Sequence, residues 1–66
     1  MSVPTRSEVY NQLCEHITKA QECAAMLAHL DNANDDHQSA MDWLVISELF
    51  KKMLNKVIAL ATRRMQ

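Results

Sequence analysis

The chain has 66 residues, 48% of them hydrophobic and 23% charged, with no glycine, one proline and two cysteines. A chain this short forms one small domain that hides only about 60% of its extended surface when it folds alone, so a large internal active-site cavity is not expected. Without glycine the phosphate-cradling loops of Walker and Rossmann chemistry are excluded, and seven Lys+Arg against eight Asp+Glu leave a formal net charge of −1, too small for binding by bulk charge.

The chain opens Met1-Ser2-Val3-Pro4-Thr5-Arg6 with no apolar leader, and its longest uninterrupted apolar run, Cys23 to Ala28, is far shorter than a membrane span. The expectation is a cytoplasmic protein with no membrane partner. Cys14 and Cys23 are nine residues apart, on opposite sides of a helix and about 13.5 Å along it, so they cannot bridge one another. They are expected as free thiols, with Cys23 acting as a buried small hydrophobe.

A first helix is predicted over about 5–30. Thr5 and Glu8 have the spacing of a capping box, with Ser7 as the rival cap. Val9, Leu13, Ile17, Ala20, Ala24 and Leu27 then recur at three- and four-residue steps, which keeps one face of a helix inward.

The polar stretch from Asp31 to Asp36 divides the chain, and the turn is predicted at 31–34. Asn32 or Asn34 is expected to take the left-handed conformation that ends a helix. Asn34 or Asp35 is expected to cap the next one. As a calcium loop starting at Asp31 the stretch fails, because Ala33, Asp36 and Asp42 occupy positions that need an oxygen donor, a glycine and a longer carboxylate.

A second helix is predicted over about 35–64. Trp43, Ile46, Leu49, Phe50, Met53, Leu54, Val57, Leu60 and Ala61 fall within an arc of about 140°, while Leu44, Val45 and Ile58 lie outside it. One neighbouring helix cannot cover so wide a surface. The expected fold is therefore all-α, an antiparallel two-helix hairpin in one domain spanning 1–66 that dimerises into a four-helix bundle. Ala20, Ala24 and Ala28 form a small-residue ladder expected to face Ile46, Phe50, Met53 or Val57.

Function is weakly written in the sequence. His16, His29, His37, Cys14 and Cys23 have no partner at metal-ligand spacing, and no nucleophile stands beside a base on one helix face. No metal, cofactor or catalysis is expected. After Glu48 come Lys51, Lys52, Lys56, Arg63 and Arg64 with no acid among them, and Lys52, Lys56, Arg63 and Arg64 are the candidate nucleic-acid contacts of an RNA- or DNA-binding alternative. The layout resembles that of the Rop plasmid copy-number regulators, short helical hairpins that dimerise and bind paired RNA loops. The resemblance is of layout, not of sequence. The outward side of helix 1 offers Asn11, Glu15, Thr18, Lys19, Glu22 and His29, whose carboxylates offset its lysine toward phosphate, so no RNA-binding residue is carried over. The preferred expectation is a small homodimer of the kind found in bacterial genomes and prophages. It is expected to be non-catalytic and to act by binding another protein as a regulatory or accessory factor, with Trp43, Leu44, Val45, Ile46, Leu49, Phe50, Met53, Val57 and Ile58 as the dimer or partner interface.

Overall fold

The computed structural model describes residues 3–65, except the side chains of residues 64 and 65. Two helices, α1 (Arg6–Ala33) and α2 (His37–Met65), pack against each other as a hairpin. Thr5 caps α1, its hydroxyl accepting from the Glu8 amide at 3.2 Å while its own backbone stays extended. Near that end the Arg6 guanidinium lies 5.8 Å from the centre of the Tyr10 ring.

The turn sits later than the sequence suggests. α1 continues to Ala33, three residues beyond its expected end, and the chain reverses over 34–36 rather than 31–34. Asp35, not Asn32 or Asn34, takes the left-handed conformation, with φ 61°. The Asp36 amide donates to the Asp31 carbonyl at 2.8 Å and the Asp35 amide to the Asn32 carbonyl at 3.2 Å, the paired bonds of a Schellman ending. Asp36 then caps α2, where Asn34 or Asp35 was expected. Its carboxylate accepts from the Ser39 amide at 3.2 Å and its carbonyl from the Ala40 amide at 3.0 Å. Satisfying both helix ends with overlapping residues explains the delay, since Asp36 closes one motif and opens the next.

The seam follows alternating steps of three and four. On α1 it runs through Tyr10, Cys14, Ile17, Gln21, Ala24, Ala28 and Asp31, and on α2 through Ala40, Trp43, Ser47, Phe50, Leu54, Val57 and Ala61, all buried or half-buried. Among the described residues the buried positions are Ile17, Ala24, Ala28, Ala40 and Ser47. Four of these five are small, so the helices approach closest between the middle of the hairpin and its turn. The Ala24 and Ala28 part of the expected ladder lies there, with Ala20 half-buried beside it. The result is a slab with extents of 48 × 28 × 9 Å, one helix thick.

Candidate functional site

A slab of one layer has two broad sides, and both carry apolar side chains. On the first, Ala25, His29, Asn32, His37, Met41 and Leu44 line a shallow open groove of about 350 Å³ near the turn. That groove fixes which flank of each helix faces the same way. At 100° per residue, Ala25 and His29 lie to one side of the α1 seam, and Met41 and Leu44 lie to the matching side of the α2 seam.

The opposite flanks then share the second broad side. Val9, Leu13 and Leu27 occupy it on α1, and Leu49, Met53 and Leu60 on α2, each between 39% and 53% exposed. Ile46 is half-buried at its edge. Val9 and Leu13 also line an apolar depression with Pro4 and Tyr10 at the open end. This side runs nearly the whole length of the hairpin and draws on both helices, with exposed His16 on α1 and exposed Asp42 on α2, in line with Leu60, interrupting it.

The expected interface residues divide among these surfaces. Trp43, Phe50 and Val57 lie half-buried in the seam within one chain. Leu49 and Met53 stand on the long apolar side with Ile46, whereas Leu44 and Ile58 stand on the groove side and Val45 points away from α1 at the outer edge of α2. Cys23, expected to be buried, is exposed, and Cys14 is the half-buried thiol. Counting the steps from Ile17 puts Cys23 outside the seam.

Charge is divided along the length. From residue 20 to residue 50, the half containing the turn, there are six carboxylates (Glu22, Asp31, Asp35, Asp36, Asp42, Glu48) and no lysine or arginine, a formal −6. The open half holds all seven lysines and arginines with only Glu8 and Glu15, a formal +5. Lys52, Lys56 and Arg63 are exposed along the outer edge of α2 and make no ion pair among the described residues; Arg64 has no described side chain. Lys51 pairs with Glu48 at 3.3 Å and Lys19 with Glu15 at 3.0 Å. The hydrogen bond and charge of Lys19 hold the Glu15 carboxyl below the usual carboxylate range.

Side-chain bonds stiffen the turn. Ser39 Oγ donates to Asp31 Oδ2 at 2.6 Å, and His37 Nδ1 lies 2.7 Å from Asn32 Oδ1. Among the described residues no three His, Cys, Asp or Glu side chains converge as a metal site would require. No described helix is long and apolar enough to cross a membrane. The chain matches no protein-family model, no curated protein and no solved structure. The class that fold and surface define is a two-helix hairpin with one long, mostly apolar side and strong axial charge separation.

Proposed function

We propose that the chain works as a homodimer without catalytic chemistry, two hairpins closing over their long apolar sides into a four-helix bundle that acts by binding another protein in a regulatory or accessory role. The observation that carries this is surface area. The hairpin leaves 5528 Å² accessible, whereas a compact monomer of 7.6 kDa exposes about 4,300 Å². The excess of about 1,200 Å² per copy is of the size an obligate dimer interface removes. A helical layer with both sides wet is also not a stable architecture on general grounds, because each apolar stripe needs a second layer.

Leu49 and Met53 occupy the middle of the side assigned to the second copy, and Leu44 and Met41 line the groove left for a protein partner. Two charge insertions separate these roles. Leu49→Glu should abolish the concentration dependence of the melting temperature that a dimer shows, while Leu44→Glu should leave it intact. Equal behaviour of the two variants would contradict the assignment of sides.

The nucleic-acid alternative is favoured by one observation, the exposed Lys52, Lys56 and Arg63, which make no ion pair among the described residues. Under it, binding to RNA or DNA would fall steeply with salt and would be lost on replacing those three residues by glutamine.

A further inference from the structure

Resting on the self-association proposed above, we infer that the two copies associate with their long axes reversed, the acidic turn of each lying beside the basic open end of the other. A face-to-face pair with two-fold symmetry has two choices. If the axis runs along the hairpin, both turns meet at one end. If it crosses the hairpin within the interface, the turns lie at opposite ends.

The charge division separates these choices. With the turns together, the two −6 halves share one end of the bundle and the two +5 halves share the other. Such like-charge juxtaposition is unfavourable even when partly screened. With the axes reversed, every acidic half meets a basic one.

The register of the hairpin makes the match specific. The hydrogen bond between Asp31 and Ser39 sets the two helices level at positions whose numbers sum to about 70, so Ala20 and Leu49 stand at the same height near the middle. A two-fold axis through that level places Leu13 of one copy over Leu27 of the other. It brings Asp42, which lies on the same flank of α2 as Leu60, level with Lys56 of the second copy, which lies nearer the outer edge of α2. It also sets Arg6 and Arg63 at the height of Asp35 and Asp36 in the opposite turn. Ala20 meets its own counterpart on the axis, where a small side chain permits close approach.

Distances between spin labels test the orientation. Cys14→Ala and Cys23→Ser clear the native thiols, and Gln38→Cys or Ala59→Cys then supplies one exposed site near the turn or near the open end. Gln38 stands eleven residues from Leu49, so reversed copies hold two Gln38 labels about 33 Å apart along the axis, against no axial separation when the turns meet. We expect a separation above about 35 Å for Gln38 with Gln38, and one below about 30 Å when Gln38-labelled and Ala59-labelled chains are mixed. The reverse pattern would overturn the orientation and leave the dimer standing. No defined separation in any sample would overturn the dimer and the orientation together. Salt supplies a second readout of opposite sign. Raising it from about 0.05 M to about 0.5 M should weaken a reversed dimer by about threefold to tenfold, whereas a dimer with its turns together would tighten.

Discussion

Asp31 and Ser39 are joined across the turn by a 2.6 Å hydrogen bond, the last residue of the α1 seam accepting from the first turn of α2. Because these residues are eight apart in sequence but level in space, the bond sets how far the two helices slide against each other. Ser39→Ala should remove it and cost about 1 kcal/mol, lowering the melting temperature by about 4 to 8 °C. Asp36→Ala, which deletes the α2 cap, should cost about as much. Thermal unfolding followed by circular dichroism measures both, and an unchanged melting temperature in either variant would remove that contact from the stabilising set.

Asp35 carries the left-handed backbone of the turn at φ 61°, a conformation in which a Cβ is unfavourable. Asp35→Gly should stabilise the hairpin by about 0.5 to 1 kcal/mol, with relief of the Cβ crowding exceeding the added freedom of the unfolded chain. It also removes one of three carboxylates clustered with Asp31 and Asp36. Chemical denaturation should show a higher midpoint with an unchanged slope.

Much of the architecture is legible in the sequence, and the exceptions have physical causes. Both helices, the hairpin and the Thr5 cap follow from periodicity and capping chemistry. The orientation of α1 does not. Its expected stripe through Val9, Leu13, Ile17, Ala20, Ala24 and Leu27 is centred roughly 60° from the middle of the actual seam, which keeps Ile17 and Ala24 but takes in Tyr10, Cys14, Gln21 and Ala28 in place of the others. Periodicity reports the whole apolar surface of a helix, whereas the seam goes where small residues let two backbones approach. Ala28, Ala40 and Ser47 carry little hydrophobic signal yet are buried. The same limit hid the site: spacing alone sets Leu44 outside the arc that holds Leu49, but only the groove beside His29 shows which flank of α1 shares a side with each.

Close approach at Ala24 should make that position intolerant of bulk. Ala24→Leu is expected to overpack the seam and cost about 1 to 3 kcal/mol. The same residue placed at Met26, an exposed position on the outer edge of α1, should change stability by less than about 0.5 kcal/mol. Similar losses from both substitutions would place the seam elsewhere.

Lys19 lowers the Glu15 carboxyl below its ordinary value, so the pair contributes stability above the ordinary carboxylate range and loses it as the pH falls through the lowered value. Lys19→Gln should return Glu15 upward to that range. Carbon-detected titration of the side-chain carboxyl by nuclear magnetic resonance reads the change directly, and an unmoved titration would assign the lowering to something other than Lys19.

Sedimentation equilibrium of the unmodified chain, over a concentration range at about 0.1 M salt, weighs the particle without reference to its shape. Self-association through the side bearing Leu13, Leu27, Leu49 and Met53 predicts a mass of twice the chain's 7.6 kDa. A mass of 7.6 kDa that holds at every concentration would contradict it.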